Sequence, residues 1–321
     1  MMALGATAHK EQSAPDSVGF HQSWFPVALS RELGPGAVLG VDFLGTRVVV
    51  HRDGQGKAMV QDAYCAHLGA DLSIGDVVDG QIRCAFHNWR YGADGRCVHI
   101  PTGDNIPPGA RIFTYPSAEA WGLIWAFNGE KPLFEPPRMP CAEEEELIFE
   151  AHRRGFRPVD FWIATANAVD FQHLRSLHRL PAVDPEVIAS GEYGFEYQVE
   201  APGFFIQHGR ITGTNTFTLR GRLDGHEFFG MFAGSPIAQG KSMAYFGVGV
   251  RRDAAVGLGS EAAVRERLNS LRAFIDGLAV QDNPVFETMR FRKGVLVASD
   301  RYLARFFTYV SDFPRFQAAG A

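Results

Sequence analysis

No apolar run in the chain approaches the ~20 residues that a membrane-spanning helix needs. The best candidate, Trp121 to Phe127, is strand-sized. The first twenty residues lack a basic start followed by an apolar core, which argues against a secretory leader. Neither sign of charge dominates. Thirty-one basic and 36 acidic side chains leave a net charge of −5, with no broad positive surface for nucleic acid. Cysteine is scarce: four in 321 residues do not make a disulfide scaffold and read better as metal ligands or buried thiols. There is no Gly-rich dinucleotide fingerprint. A cytoplasmic protein without membrane or nucleic-acid partners is expected. What the chain does have is 46% hydrophobic and 21% charged residues, a globular composition, over a length that suits about two domains.

Residues 1–18 are small and polar and read as a flexible tail. From Trp24 to about Asn128 short apolar runs alternate with turns. Val48-Val49-Val50 closes at Asp53-Gly54, Val77-Val78 at Asp79-Gly80, and Tyr91 leads to Asp94-Gly95. That spacing predicts a small all-β domain over 19–128. Pro132, Pro136, Pro137 and Pro140, followed by the acidic run Glu143 to Glu146, mark a linker over 129–150. Residues 151–321 form a second domain of another kind. Residues 158–179 read as mostly helical. Period-two alternation predicts antiparallel strands at 193–199 and 211–219, with more at 226–233 and 243–251. Ser260 can cap a helix whose Val264, Leu268, Leu271, Ile275 and Leu278 form one apolar stripe. The class is α+β, an antiparallel sheet with a long helix across it.

The sharpest feature is Cys65-Ala66-His67, then sixteen residues, then Cys84-Ala85-Phe86-His87. These could be four unrelated residues, a structural zinc site, or a [2Fe–2S] cluster with two Cys on one iron and two His on the other. Turn residues favour the cluster: Gly69 follows the first pair, and Asn88, Gly92 and Asp94-Gly95 follow the second. Such loops let backbone N–H groups point at the cluster sulfurs. Cys97 and Cys141 have no place in the pattern and read as ordinary thiols.

With these residues the sequence resembles the Rieske non-haem iron ring-hydroxylating oxygenases, in particular their terminal oxygenase (alpha) component. In the Rieske part the resemblance departs at Ala66, Ala85 and Asn88, where the family often has Pro, Pro and Gly. The resemblance runs from about Trp24 to Phe291. It implies a second domain of START-type, helix-grip fold that holds a mononuclear Fe(II).

Candidate ligands lie in Asn167 to His178. Asp170 and His173 are three apart, on one helix face. His173 and His178 are five apart, about 140° on an ideal helix, so both reach one metal only if the helix distorts or ends between them. Pro181 makes an ending plausible. Two imidazoles and a carboxylate form the facial triad of non-haem iron oxygenases. The carboxylate is open between Asp170, Asp282 and Glu287 on the residues alone. The resemblance favours Asp282, within Gln281-Asp282-Asn283-Pro284-Val285-Phe286-Glu287, at a helix end. It gives Asp170 the part of a bridge, across a ring of three subunits, to the His87 of the next copy, and Asn167 that of an amide beside the iron.

The resemblance further implies O2 activation with electrons from NAD(P)H through a separate reductase, with or without a ferredoxin. The substrate is expected to be a hydrophobic, cyclic or aromatic small molecule, since Phe204, Phe205, Phe217, Phe228, Phe229, Met231, Phe232 and Phe246 fall on or beside predicted strands. Arg210, Arg220 and Arg222 are the candidates for any carboxylate clamp. Hydroxylation by one or two oxygen atoms, demethylation and desaturation all remain open. So does a non-catalytic electron carrier fused to a ligand-binding domain.

Overall fold

Asp-Gly turns fold the first third of the chain into short hairpins. In the computed structural model, which describes residues 19–180, 185–201, 205–223, 225–292 and 294–317, Asp79 and Gly80 both take positive φ. They join Asp76–Val78 to Gln81–Arg83 as a tight hairpin. With Arg90–Tyr91 and Cys97–His99 these strands make a small four-stranded sheet. A second four-stranded sheet holds Leu39–Phe43, Thr46–Arg52, Ala58–Asp62 and Thr114–Tyr115. A three-stranded sheet holds Trp24–Leu29, Ser117–Ala120 and Leu123–Phe127. The β-branched run Val48-Val49-Val50 is fully buried between them. The tail expected over residues 1–18 lies outside the described residues.

The proline-rich stretch is docked rather than loose. The indole N–H of Trp24 donates to the carbonyl of Phe134, and that of Trp121 to Pro137. Residues after it enter one antiparallel seven-stranded sheet. Its order is Leu147–Arg157, Lys241–Arg251, His226–Ala238, Thr216–Leu223, Phe205–Thr212, Gly194–Ala201 and Glu186–Gly191. The single strand expected at 211–219 is two strands. Gly213, at φ +60°, turns the chain, and buried Asn215 locks the turn by donating to the carbonyls of Trp24 and Gly234. A side-chain anchor of that kind carries no period-two signature.

The sheet has two apolar faces. On one, Phe229, Met231 and Tyr245 pack with Trp24, Trp121, Trp125 and Phe127 of the N-terminal sheets. On the other, Phe217, Leu219, Val248 and Val250 pack with Val264, Leu268, Leu271 and Ile275 of the long helix. Ser260 caps that helix, accepting from the N–H of Ala263. The helix does not stop near Leu278 but runs Glu261–Thr288 with Pro284 inside. Pro284 removes only the bond to the carbonyl of Val280, on the exposed side of the helix where water can replace it. A further helix, Arg301–Asp312, buries Phe306 and Val310 in the same core. The strand Phe20–His21 pairs with Arg315–Phe316 and ties the two ends of the described chain together.

Candidate active site

Two turns with one hydrogen-bond plan carry the Cys/His pairs. The Cys65 N–H donates to the carbonyl of Ala70, and the Gly69 N–H to that of Cys65. In the second turn the Cys84 N–H donates to Trp89 and the Asn88 N–H to Cys84. The residue four after each Cys therefore needs a left-handed backbone. Gly69 supplies it at φ +75° and Asn88 at φ +57°. Asparagine is among the few non-glycine residues that take this conformation readily, which accounts for its presence where a glycine is usual.

Cys65 and Cys84 are buried, while His67 and His87 are exposed with ring centroids 4.7 Å apart. His67 stacks on Trp89 at 4.4 Å and 4°. The Tyr91 hydroxyl lies 3.0 Å from Cys65 Sγ and accepts from the N–H of Ala66 at 3.0 Å. Two soft sulfurs inside and two imidazoles at the rim, on paired turns, suit a cluster with one Cys-held and one His-held iron. Cys97 is buried outside this group. Cys141 is exposed, its sulfur 3.6 Å from His208 Nδ1.

The second group sits under the helix-covered face of the large sheet. The helix expected over 158–179 is broken into Phe161–Ala166, a 3-10 turn Asn167–Val169, and Phe171–Ser176. Asp170 causes the break. Its backbone leaves the helical region, and its carboxylate caps the next helix by accepting the N–H of His173 at 2.9 Å. The helix ends at Ser176, so His178 is free to turn toward His173. From the long helix, Asp282 reaches both. Its Oδ1 is 3.3 Å from His178 Nε2 and 4.0 Å from His173 Nε2, and one donor atom from each of the three lies within 4.8 Å of the others. Glu287 is exposed and stands outside this group. Asp282 is inside the helix, not at its end. It continues the apolar stripe, four residues after Leu278 and four before buried Phe286.

Both imidazoles have their other nitrogen held. His173 Nδ1 is 2.6 Å from the backbone carbonyl of Asp170, and His178 Nδ1 is 3.1 Å from the Gln281 side-chain oxygen. A carbonyl acceptor fixes the proton on Nδ1 and leaves the Nε2 lone pair free. The ring of His173 therefore uses the backbone of Asp170, whose carboxylate is spent partly on the helix cap. Burial pushes the Asp282 carboxyl up and the His173 imidazole down, so the group is costly to ionise on its own. Donors held about 2.1 Å from one ion lie about 3 Å apart; the His178–Asp282 pair is near that at 3.3 Å, while His173, 4.0 Å from Asp282, would draw inward on a bound ion. The donor set fits a divalent ion. Gln281 was within the segment singled out from the sequence, but its adjacency to Asp282 was its only mark there.

These three residues line a cavity of about 200 Å3. Its wall is mostly apolar, with Phe217, Leu219, Phe228, Phe232, Phe274 and Ile275. Asn167 lines it too. Of the other apolar candidates, Phe229 and Met231 face the N-terminal sheets, Phe246 is core beneath His152, and Phe204 and the side chain of Phe205 lie outside what is described. A strand's alternation names two faces but not which one is hollow. Arg210 and Arg220 are paired with Glu196 and Glu227, and neither they nor Arg222 line the cavity.

Residues 23–116 match the family model described as the Rieske [2Fe-2S] domain. The chain is 37% identical over 169 residues to the cholesterol 7-desaturase nvd of Bombyx mori, a match that takes in 50% of this chain and 36% of that protein. To the oxygenase component of a Rhodococcus rhodochrous 3-ketosteroid-9-alpha-monooxygenase it is 35% identical over 127 residues, 40% of this chain and 33% of the relative. Thus the match spans only about a third of these relatives' own length. Among solved structures, NdmB of Pseudomonas putida CBB5 has the same fold, with a TM-score of 0.75, 21% identity, and 92% and 91% of the two chains covered. Dicamba monooxygenase bound to dicamba follows at a TM-score of 0.66, 20% identity, 92% and 97% covered. Residues 23–116 therefore belong to the Rieske [2Fe-2S] domain family, and the whole chain, with the helix-and-sheet domain that follows, has the fold of these solved structures.

Proposed function

We propose that the chain is a terminal oxygenase that uses O2 and a mononuclear Fe(II) to hydroxylate a hydrophobic, ring-bearing small molecule. The observation that carries this reading is the His173, His178 and Asp282 group, opening on an apolar cavity in a chain that also has a Rieske domain. A Rieske cluster delivers single electrons, and a non-haem Fe(II) with three protein ligands keeps positions open for O2. The chain's own residues do the rest. Cys65, His67, Cys84 and His87 hold the cluster. His173, His178 and Asp282 hold the iron, with Asp170 and Gln281 orienting the rings. The phenylalanine wall keeps water from the substrate and sets its pose.

Reducing equivalents come from NAD(P)H through a separate reductase, with or without a ferredoxin. His67 and His87 are exposed, so the cluster's rim can dock on another surface. In this reading that surface is a second copy in a homotrimer, where the remaining acceptor capacity of Asp170 receives the ring N–H of the neighbour's His87. Asn167 stands beside the iron on the cavity wall. The division into 19–128, a linker over 129–150 and 151–321 belongs to the same proposal. Relatives named for a desaturase and a monooxygenase of steroids keep desaturation beside hydroxylation, and demethylation is the third outcome of the same chemistry.

The test is a metal assay joined to a substrate screen. Reconstituted protein should hold about three irons per chain, two in the cluster and one outside it. With a surrogate reductase it should give O2-dependent product from at least one apolar ring compound. An electron carrier fused to a ligand-binding domain would hold only the two cluster irons and turn nothing over.

A further inference from the structure

The cavity wall contains two guanidinium groups, and a fault in the sheet puts them there. The strand Leu147–Arg157 pairs with Lys241–Arg251 in regular register up to His152 opposite Phe246 and Arg153 opposite Tyr245. The next pair is Gly155 opposite Ala244, so Arg154 is an extra residue. Side chains alternate along a regular strand, and residues three apart point to opposite faces. A β-bulge inserts one residue, reverses the phase beyond it and re-aims side chains. Gly155 takes the conformation this needs, at φ +105°. As a result Arg154 and Arg157 line the same cavity.

The two are not equivalent. Arg154 is occupied: its guanidinium is 2.6 Å from Asp276 Oδ1 and lies over the ring of Phe246. Arg157 donates to the carbonyl of Phe156 and, among the described residues, has no carboxylate within ion-pair distance. Burial pulls its pKa down, and the neighbouring charge of Arg154 adds to that, while Glu287 and Asp282 act the other way from farther off. A partly dehydrated cation with unspent N–H groups, facing a mainly apolar cavity, is costly unless an anion arrives. A planar carboxylate matches its fork with two parallel hydrogen bonds.

We propose that the substrate is an apolar ring compound bearing a carboxylate, and that Arg157 receives that carboxylate while the ring lies against Phe217, Leu219 and Phe228. This rests on the reading of the cavity as the substrate site of an oxygenase. It also gives the bulge at Arg154 a purpose, since a regular strand would turn one of the two guanidiniums away.

Equilibrium dialysis of the iron-loaded protein against matched pairs tests it: 2-naphthoate with 2-naphthamide, phenylacetate with phenylacetamide, and cinnamate with cinnamamide. At least one acid should bind ten-fold or more tightly than its amide. In Arg157→Gln that acid should weaken at least ten-fold while its amide is unchanged, with iron content and the visible spectrum retained. Arg157→Lys, which keeps the charge and loses the fork, should fall between the two and serves where Arg157→Gln does not fold. Acids that bind no better than amides in the unsubstituted protein, or a preference that survives Arg157→Gln, overturn the proposal. Iron content and O2 consumption are read separately. A protein that holds its third iron but ignores the carboxylate loses only the anchor, whereas one without that iron loses the oxygenase reading.

Discussion

Tyr91→Phe isolates one hydrogen bond at the Rieske cluster. Tyr91 is fully buried, and its oxygen already accepts the N–H of Ala66, so its single proton is directed at Cys65 Sγ 3.0 Å away. Burial, then the neighbouring Cys65, pushes the phenol well above its ordinary range and keeps that proton in place. A bond from a neutral donor to a thiolate strengthens as the cluster gains an electron. Its loss therefore destabilises the reduced state more than the oxidised one. Hydrogen bonds to charged groups contribute about 1.5–3 kcal/mol, and a difference of roughly half that between redox states is on the order of 1 kcal/mol. For a one-electron couple this lowers the potential by about 40 mV, since 59 mV corresponds to about 1.4 kcal/mol. The stranded Ala66 N–H costs about 1 kcal/mol of stability as well. Redox titration followed by EPR reads the shift, and urea unfolding reads the stability. A potential unchanged to within about 10 mV, or one that rises, would refute the assignment of the proton to sulfur.

Asp282→Ala should leave the Rieske spectrum intact while iron content falls by about one per chain and turnover stops, and Glu287→Ala should change neither; the reverse pattern would move the ligand to Glu287. Asp170→Asn, which keeps the helix cap but loses charge, should retain both metal sites and slow single-turnover oxidation of the reduced cluster by about 10- to 100-fold. Unslowed oxidation, or a fully active monomer, would count against the bridge. His21 is buried, bonded to Thr214, and held at a pKa of about 3 by burial and by the charge of Arg315. The unfolded chain takes up a proton below the ordinary 6.5 that the native chain refuses until about 3, so stability is full above 6.5 and is lost as pH falls between them. Between pH 7.5 and 5.5 this group should cost about 1.4 kcal/mol in urea unfolding, and His21→Gln should lose about that much less over the same interval.

The cluster turns were legible because their chemistry is local: each Cys/His pair with its turn residues occupies about one loop. The Asp-Gly hairpins were legible for the same reason. The long helix could be read from its stripe and its Ser260 cap, but its end could not. An Asn-Pro pair reads as a stop, and only the exposure of Val280 on the far side shows why the helix passes through it. The helix Arg301–Asp312 was missed although Tyr302, Leu303, Phe306, Phe307 and Val310 carry helical spacing. The split of 211–219 depends on Asn215 bonding to backbone 191 residues away, at Trp24, which no local pattern records.

The triad itself shows what kind of information a sequence withholds. His173 and His178 are only five apart in the chain, yet whether they converge depends on where a six-residue helix stops. Asp282 comes from more than a hundred residues on, in a stripe where every other member is apolar. That contrast is a sequence observation: Ile275, Leu278, Asp282 and Phe286 fall at one helical spacing, and a carboxylate in that row must be buried with a partner or not be buried at all. The same reasoning applied to Arg157 fails without the structure. Its phase along the strand depends on a bulge at Arg154, and counting by twos from Leu147 puts Arg154 and Arg157 on opposite faces. A candidate metal ligand such as Asp282 leaves a trace in the helical stripe, because the stripe is long and regular. A substrate anchor placed by one irregular residue leaves none, and it is at such irregularities, rather than in the regular core, that relatives of one fold can come to accept different substrates.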